Sequence, residues 1–281
     1  MRILRAFVAV TILCCATLVR AACALSTEPH PHGVIGLQLF YPDDSRSWAW
    51  ADDLHLAWLR IEVRWDWIEP RRDQFDASYV ERVMALARLH PQKIMLLFNH
   101  PPRWVESEPD SLPTRAAMAA AWFAKRYGSR VSAYEFFNEP NLPGYGWPDL
   151  WSTAQGSATA YARTLAAASY AVRAIDKKAF VVSAGLSPQN EPESYARIVL
   201  RLTPPDCYDA FGLHPYGQQG RFAAVQGNVA ALFQQENRPG KPAWFTEYGT
   251  NQDGECQGQP NFPHCGNSNF PTRLRSVVVV V

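Results

Sequence analysis

The feature that most constrains the fold of this 281-residue chain is a regular alternation of two kinds of segment. Short apolar runs rich in β-branched and aromatic residues alternate with longer stretches whose apolar residues recur at helical spacing. The runs predict seven strands, at Val34–Phe40, Leu59–Trp65, Ile94–Phe98, Ala133–Phe137, Phe180–Ala184, Ala210–His214 and Ala243–Glu247. The stretches between them predict helices, at Ala77–Leu89, Ala116–Tyr127, Ala158–Ile175, Glu193–Leu202 and Ala223–Gln235. Such an alternation predicts a parallel sheet covered by helices.

Two architectures share that alternation, an open doubly wound sheet and a (β/α)8 barrel. An open dinucleotide-binding sheet carries a glycine-rich GxGxxG turn after its first strand, and this sequence has no such turn there. Instead, polar or aromatic residues close most predicted strands, at Trp65, Asn99-His100, Asn138-Glu139, His214, Tyr216 and Glu247. In a barrel these strand ends meet at one mouth, where active sites lie. The sequence therefore predicts an α/β fold of the TIM-barrel type.

The segment after Glu247 departs from the pattern of a complete barrel. Residues 250–272 are rich in Gly, Pro, Asn and Gln, and five valines follow at Val277–Val281. Neither a seventh helix nor an eighth βα unit is predicted there. We therefore expect an incomplete barrel of seven strands at residues 25–250, and an irregular tail, truncated or frame-shifted, at residues 251–281.

A barrel without its eighth strand has an unpaired sheet edge. We expect that edge at Val34–Phe40 or at Ala243–Glu247. The alternative is that Ser276–Val281 fills the gap as a short strand, with ladder hydrogen bonds to both neighbours.

Composition limits the partners of the chain. Because 27 basic residues face 26 acidic ones, the formal net charge is only +1, and no strongly basic face for nucleic acid is expected. The 10 Trp, 11 Tyr and 14 Phe residues offer flat apolar surfaces that suit sugar rings, although most of them are expected in the core. We expect a monomer.

The N-terminus has the pattern of a signal peptide. Arginines precede an uncharged apolar run from Ala6 to Leu18, and Ala22-Cys23-Ala24 offers a small-residue cleavage site. Residues 1–24 are therefore predicted to be removed, leaving a secreted or periplasmic protein with no membrane segment, since the apolar run is too short to span a bilayer. Lipidation of Cys23 is the alternative, and Arg20 argues against it.

Three of the six cysteines, Cys14, Cys15 and Cys23, fall in the predicted signal peptide. Cys256 and Cys265 are predicted to form a disulfide across a short polar loop, as export permits. Cys207 is then expected to be an unpaired buried residue. The sequence predicts no metal site, and a zinc site is the weaker alternative, since no CxxC spacing occurs and His264 stands alone.

Two glutamates carry the functional prediction. Glu139 follows the fourth strand, and Glu247 ends the seventh. Splitting a glycosidic bond requires one protonated carboxyl for the leaving oxygen and one ionised carboxyl that attacks from the other side, about 5–5.5 Å apart when configuration is retained. Strands four and seven face each other across a barrel. A structural ion pair with an arginine is the alternative for either glutamate alone, and their joint placement favours catalysis.

The motifs around these glutamates resemble clan A of the glycoside hydrolases. They are Asn-Glu-Pro after strand four, Thr-Glu-Tyr-Gly at the end of strand seven, and Trp58–Trp65 with Ile68-Glu69-Pro70 and Gln74-Phe75-Asp76. The last group resembles the second-strand signature of families 39 and 5, and the likeness to family 39 and related bacterial endoglycosidases covers roughly Gly33 to Thr250. It implies a TIM barrel without a cofactor, in which Glu139 is the acid/base and Glu247 the nucleophile.

The resemblance also implies roles for other residues. Arg60 matches the arginine that keeps the nucleophile ionised, and Asn138 matches the asparagine that binds the sugar 2-hydroxyl. A structural ion pair and a cap of the following segment are the respective alternatives. Substrate-binding or orienting positions are further implied at His214 and Tyr216 after strand six, at His100 and Trp104 after strand three, and at Tyr145 and Trp147 on the loop after strand four.

The sequence thus predicts a cellulase-like, retaining O-glycosyl hydrolase that acts on extracellular poly- or oligosaccharides by double displacement. In clan A a tryptophan usually ends strand eight, and no counterpart is predicted here. The alternative function is a catalytically impaired carbohydrate-binding protein derived from such an enzyme by truncation.

Overall fold

The computed structural model describes Cys23, Leu25, Ser26 and residues 34–142, 144–216, 228, 230–238, 241–248 and 277–280. Eight strands lie in these ranges: β1 (Val34–Leu39), β2 (Trp58–Arg64), β3 (Lys93–Asn99), β4 (Ala133–Phe136), β5 (Phe180–Ser183), β6 (Phe211–Leu213), β7 (Ala243–Tyr248) and β8 (Val277–Val280). Their order in the sheet is β5-β4-β3-β2-β1-β8-β7-β6. The seven predicted strands are confirmed with boundaries shifted by a few residues.

The described residues also form the helices α1 (Ser45–Asp53), α2 (Trp65–Ile68), α3 (Ser78–Ala87), α4 (Arg103–Glu106), α5 (Leu112–Tyr127), α6 (Ala154–Ile175) and α7 (Pro192–Leu202). Helix α1 was not predicted: Asp44 caps it by accepting a hydrogen bond from the Arg46 amide, and it buries Trp48 and Ala51. Residues 230–235 are helical, which confirms the end of the predicted helix Ala223–Gln235, while residues 223–227 and 229 lie outside the described part.

Backbone hydrogen bonds close the sheet into a barrel. Strands β1 to β5 pair in parallel with their neighbours, as do β6 and β7. Between β5 and β6, the amide of Asp209 donates to Val181 O at 2.7 Å and that of Ser183 donates to Ala210 O at 3.0 Å. The predicted TIM-barrel architecture is therefore confirmed.

The expected seven-stranded barrel with an unpaired edge is wrong, because β8 fills the gap. It runs antiparallel to both neighbours, pairing Leu37 with Val277 on one side and Trp244 with Val280 on the other. Valines favour extended backbone, and the edges of β1 and β7 offer amide and carbonyl groups that need partners. Since Tyr248 pairs with Val277, the chain leaves β7 and enters β8 at the same end of the barrel.

The floor of the barrel is an apolar layer near the amino ends of the strands. It consists of Trp58, Met95, Ala133, Phe180, Val182, Ala210 and Trp244, all buried. The ring of Trp244 stacks on Phe180 with centroids 4.7 Å apart and meets Trp58 edge-on at 5.8 Å. A second, larger core lies between the outside of the sheet and the helices. The filled floor leaves the mouth at the carboxyl ends as the open end of the barrel.

The cysteine predictions need correction. Cys23 and Cys207 form a disulfide, so Cys207 is not unpaired, and cleavage after Ala24 is incompatible with this bond. Beside it, the amide of Ser26 donates to Asp209 at 2.8 Å. The predicted disulfide between Cys256 and Cys265 lies outside the described residues. Within the described part of the chain, no helix combines the length and apolar character needed to cross a membrane.

Candidate active site

A polar layer lies directly above the apolar floor. Successive side chains of a strand alternate between its two faces, so positions two residues beyond the floor again face the barrel interior. These positions hold Gln38 on β1, Arg60 on β2, Glu135 on β4 and Thr246 on β7, none more than 6% exposed. Sequence reasoning assigned no role to Gln38, Glu135 or Thr246. An acidic residue inside the apolar strand Ala133–Phe136 was the signal that could have found Glu135.

Arg60 is the hub of this layer. Its Nε donates to Glu135 Oε2 at 2.6 Å, and its Nη1 donates to Gln38 Oε1 at 2.7 Å. The same guanidinium reaches upward to Glu247 Oε1 at 2.6 Å and to Asn138 Oδ1 at 3.0 Å. The arginine expected to contact the nucleophile therefore does so, and its ion pair with Glu135 also ties β2 to β4.

Glu247 is held in its ionised form. Besides Arg60, the hydroxyl of Tyr216 donates to Glu247 Oε2 at 2.6 Å. Burial by itself raises the pKa of this carboxyl, but the electrostatic influence of His214 and Arg60 and the hydrogen bonds from Tyr216 and Arg60 outweigh it and lower the pKa to about 2. At neutral pH this carboxylate can attack or accept a proton, and it cannot serve as an acid.

Glu139 sits on a strained turn directly after β4. Its φ is 42° and that of Phe137 is 67°, both in the left-handed region that side chains other than glycine enter at a cost. Backbone hydrogen bonds hold the turn, from Phe137 N to Phe98 O at 2.8 Å and from Glu139 N to Gly185 O at 3.1 Å. Neighbouring strands thus maintain a backbone path that brings the Glu139 carboxyl to His214.

His214 connects the two glutamates. Its Nδ1 lies 2.9 Å from Glu139 Oε1 and 3.8 Å from Glu247 Oε2, while its Nε2 lies 3.0 Å from Thr246 Oγ1. Because both carboxylate distances end at one nitrogen, the two oxygens lie no more than about 6.7 Å apart, near the separations of catalytic carboxyl pairs. Of the expected pair after strand six, Tyr216 contacts Glu247, whereas His214 contacts Glu139 most closely.

Two of the remaining predicted site residues, His100 and Trp104, are partly exposed. His100 Nε2 lies 3.1 Å from Glu62, which also accepts from Asn99, so His100 stays near the mouth and partly exposed. Trp104 is half-buried, and its indole donates to Glu69 O at 3.0 Å. Both positions remain open to the predicted role in binding.

The prediction that Trp147 binds substrate is wrong. Only 2% of this residue is exposed, its ring stacks on Trp151 and meets Phe137 edge-on, and its indole donates to Ser157 at 3.0 Å. A buried indole cannot stack on a sugar, so this ring belongs to the core. The neighbouring Tyr145 is 58% exposed on the same loop.

An open aromatic cleft of about 580 Å³ lies at the same end of the barrel, beside the carboxyl ends of β1 and β2. Its walls are Phe40, Tyr41, Asp43, Trp67, Asp76, Ser78, Tyr79 and Arg82. Phe40, Tyr41 and Trp67 are each more than half exposed, and Tyr79 meets Trp67 edge-on at 5.1 Å. Exposed rings beside carboxylates suit the apolar faces and hydroxyl rims of sugars.

Metal ligation has no candidate in the part of the chain that the structure describes. No group of three or more His, Cys, Asp or Glu residues there is placed to hold an ion.

Comparison with known proteins places the site in context. The profile of the family described as Cellulase (glycosyl hydrolase family 5) matches residues 41–262. Among solved structures, the beta-glycosidase BGL167 aligns with a TM-score of 0.60 and 18% identity, over 76% of this chain and 68% of that one. Wild-type ZgEngAGH5_4 aligns with a TM-score of 0.58 and 17% identity, over 78% of each chain.

A family 39 glycoside hydrolase from the gut symbiont Bacteroides cellulosilyticus WH2 aligns with a TM-score of 0.59 and 17% identity. The alignment covers 77% of this chain and 49% of that one, so this chain spans about half of that length. None of the curated proteins compared with the chain matches it. At these identities the structural likeness concerns the fold.

Proposed function

Since this chain belongs to glycosyl hydrolase family 5, as the match over residues 41–262 shows, we propose that it hydrolyses O-glycosidic bonds with retention of configuration. The observation that carries the proposal is the contrast between the two carboxyls that meet at His214. Glu247 is fixed as an anion by Arg60 and Tyr216, while Glu139 contacts His214 and has no arginine partner among the described residues. One carboxyl suits attack and the other suits proton transfer.

Retention requires two displacements. In the first, a Glu247 oxygen bonds to the anomeric carbon while the glycosidic C–O bond breaks and the proton of Glu139 passes to the leaving oxygen. In the second, Glu139 takes a proton from water as that water attacks the anomeric carbon and releases the Glu247 carboxylate. The upper limit of about 6.7 Å between the oxygens that face His214 supports this assignment, because it admits the roughly 5–5.5 Å of retaining enzymes and excludes most of the roughly 6.5–9.5 Å range of inverting enzymes.

We also propose an extracellular polysaccharide or long oligosaccharide as the substrate, cut internally. The aromatic cleft beside β1 and β2 supports this, since it can hold sugar rings beyond those at Glu139 and Glu247. Secretion stays a proposal and is supported by the disulfide between Cys23 and Cys207, because such bonds persist in oxidising compartments.

One observation favours the second candidate, a carbohydrate-binding protein with little turnover. Strand β8 consists of valines, so the aromatic residue that clan A usually places at the end of strand eight has no equivalent in β8. The two candidates differ in whether bound sugar is cleaved.

Azide rescue tests the proposal. Glu247→Ala should lose at least about 10³-fold in activity, and azide should restore turnover by forming a glycosyl azide of inverted configuration. Glu139→Ala should lose activity mainly on substrates with poor leaving groups, and azide should give the retained product. A wild-type protein that binds oligosaccharides without releasing reducing ends would overturn hydrolysis in favour of the binding protein.

A further inference from the structure

A continuous chain of buried hydrogen bonds runs behind Glu139, from β4 through β7 to the segment after β6. It begins at Glu135, passes through the hydroxyl of Thr246 at 2.7 Å, continues to His214 Nε2 at 3.0 Å, and ends where Nδ1 meets Glu139 at 2.9 Å. Glu135, Thr246 and His214 are at most 1% exposed. Bulk water therefore does not replace any of these bonds.

The direction of each bond follows from its partners. Glu135 receives hydrogen bonds from Arg60 Nε and from the Gly185 amide, two groups that can only donate. With Arg60 as its ion-pair partner, Glu135 is a carboxylate that can only accept. The Thr246 hydroxyl must therefore donate its single hydrogen to Glu135. The Thr246 oxygen then has only lone pairs left for His214, and Nε2 must carry a hydrogen.

The tautomer of His214 determines what Glu139 experiences. With Nε2 protonated, a neutral imidazole presents a lone pair at Nδ1, and that lone pair binds a protonated Glu139 and repels an ionised one. One proton is therefore shared between His214 Nδ1 and Glu139 Oε1, and either atom can carry it. Loss of that proton would leave the Nδ1 lone pair facing the Glu139 carboxylate, and this repulsion disfavours deprotonation of the pair.

The space around this chain is shaped for it. A Cβ atom on Gly185 would overlap both His214 Nε2 and Thr246 Oγ1, so glycine is required where the two side chains meet. Among the described residues, the other charged or titratable groups near His214 are Glu247 at 3.8 Å, Arg60, which pairs with Glu135 and Glu247, and Tyr216, whose ring meets the imidazole edge-on at 6.2 Å.

We propose that Glu135 is a positioning residue which, through Thr246, fixes the tautomer of His214 and so holds on Glu139 the proton needed by the leaving oxygen. This inference rests on the proposed function, in which Glu139 is the acid. Neither Glu135 nor Thr246 touches the sugar. Both act through the imidazole.

Thr246→Val tests the inference, because valine keeps the shape of threonine and removes the hydroxyl. Without that acceptor His214 can take the other tautomer, donate from Nδ1 to an ionised Glu139, and stabilise the deprotonated pair. The alkaline limb of the kcat/KM profile should move down by about one pH unit or more. Activity on glycosides with poor leaving groups should fall roughly 10²-fold, while dinitrophenyl glycosides, which need little acid assistance, lose less than about threefold.

Two further variants separate this effect from general damage. Thr246→Ser keeps the hydroxyl and should restore the alkaline limb to within a few tenths of a pH unit. Thr164→Val removes a buried hydroxyl from α6, bonded to Ala160 O at 2.8 Å away from the site, and should leave the profile unchanged. An equal loss on both classes of substrate, or an unmoved alkaline limb in Thr246→Val, would overturn the inference.

Nitrogen-15 NMR of labelled histidine gives a readout that does not depend on turnover. Wild type should show His214 with hydrogen on Nε2, and Thr246→Val should show a population with hydrogen on Nδ1. If wild type lacks glycosidase activity but shows this tautomer, the proposed function is contradicted, while the effect of the hydrogen-bond chain on His214 is supported. A wild-type His214 with hydrogen on Nδ1 and none on Nε2 would contradict the inferred effect of the chain.

A second inference follows independently from the Cys23–Cys207 disulfide. A sulfur atom bonded to another sulfur cannot carry a lipid thioether, and a chain cut after Ala24 would not contain Cys23. A cut after Ala21 places the aliphatic Val19 three residues before the cut and the small Ala21 directly before it. A cut after Ala22 would instead place Arg20 three residues before the cut. We infer that the leader is removed by hydrolysis of the Ala21–Ala22 peptide bond, so that Cys23 stays in the mature chain.

In the exported chain the thiols of Cys23 and Cys207 lose two hydrogens to a thiol–disulfide oxidant of the export compartment. Intact-mass and peptide analysis of full-length protein exported by a bacterial host tests this. The chain should begin at Ala22, and its non-reduced digest should contain one peptide pair linking Cys23 to Cys207. Cys207→Ser should begin at the same residue with a free Cys23 thiol. A chain that begins at Leu25, or a lipid mass on Cys23, would overturn the inference.

Discussion

Two regions of the barrel wall hold the two proposed catalytic carboxyls by different means. Between β2 and β3 the parallel register extends over seven residue pairs, and this side of the wall carries Arg60 and supports Glu135 and Glu139. On the other side Glu247 lies on β7, whose neighbour β8 is a short antiparallel strand that pairs over four residues with β1. The long register positions Glu139 and its buried support, whereas a four-residue seam completes the wall beside Glu247.

Substitutions in these two regions should therefore have different consequences. A change within the β2–β4 wall affects a buried charge network and therefore the whole fold. A change in the β8 seam, which pairs with β7, should act first on stability and on the placement of Glu247.

Arg60→Met should give the largest effect, because it leaves Glu135 buried without its ion-pair partner and removes a donor from Glu247. We expect a loss of about 3–5 kcal/mol in the free energy of unfolding and at least about 10³-fold in kcat/KM. Urea unfolding and steady-state kinetics provide the measurements. The matched control is Arg64→Met, whose pair with Asp66 is about one third exposed and should cost less than about 1 kcal/mol. Equal unfolding midpoints for the two variants would contradict the network.

Replacing Val277–Val280 with Gly-Ser-Gly-Ser should come next. The new sequence disfavours extended backbone, so the edges of β1 and β7 lose their partner. We expect a loss of about 2 kcal/mol or more, or a fall in Tm of roughly 4–8 °C by calorimetry. Four threonines at the same positions retain strand propensity and should recover most of the loss. A Tm within about 1 °C of wild type in the Gly-Ser variant would show that the seam does not hold the barrel.

Tyr216→Phe should shift the pH dependence without unfolding the protein. The pKa of Glu247 is about 2, below its ordinary value of 4.5, so its ionised form contributes stability that is complete above about pH 5 and lost as the pH falls toward 2. Removing the hydroxyl takes away one donor and raises that pKa, so the acid limb of kcat/KM should move up by about one pH unit. Tyr170→Phe, at an exposed position on α6, should leave the acid limb in place. An unmoved limb in Tyr216→Phe would mean that its hydrogen bond does not stabilise the anion.

Trp67→Ala should have the smallest effect and only on long substrates. Its exposed ring in the aromatic cleft can stack on a sugar that short aryl glycosides do not have. We expect KM for a long oligosaccharide to rise about fivefold, while kcat/KM for an aryl glycoside and the Tm stay unchanged. Leu89→Ala, also strongly exposed but outside the cleft, is the control. An equal rise on both substrate classes would remove the cleft from the proposed binding path.

The features that the sequence could predict depend on local pattern. Buried parallel strands are apolar runs, and polar residues that end such runs stand out, which is why Glu139 and Glu247 could be found. The direction of β8 could not be predicted, because a run of valines favours extended backbone without specifying its direction. Arrangements across the barrel, such as Arg60 with Glu135, or Cys23 with Cys207 at a separation of 184 residues, follow from closure of the chain and not from spacing.

Covalent trapping tests whether Glu247 is the nucleophile. A 2-fluoro glycoside with a dinitrophenyl leaving group slows both displacements but slows release of the intermediate most, so the glycosyl–enzyme accumulates. Peptide mass spectrometry of the trapped protein should place a single sugar on Glu247, and Glu247→Gln should acquire none. A sugar on Glu139, or rapid turnover to a product of inverted configuration without any adduct, would contradict the account.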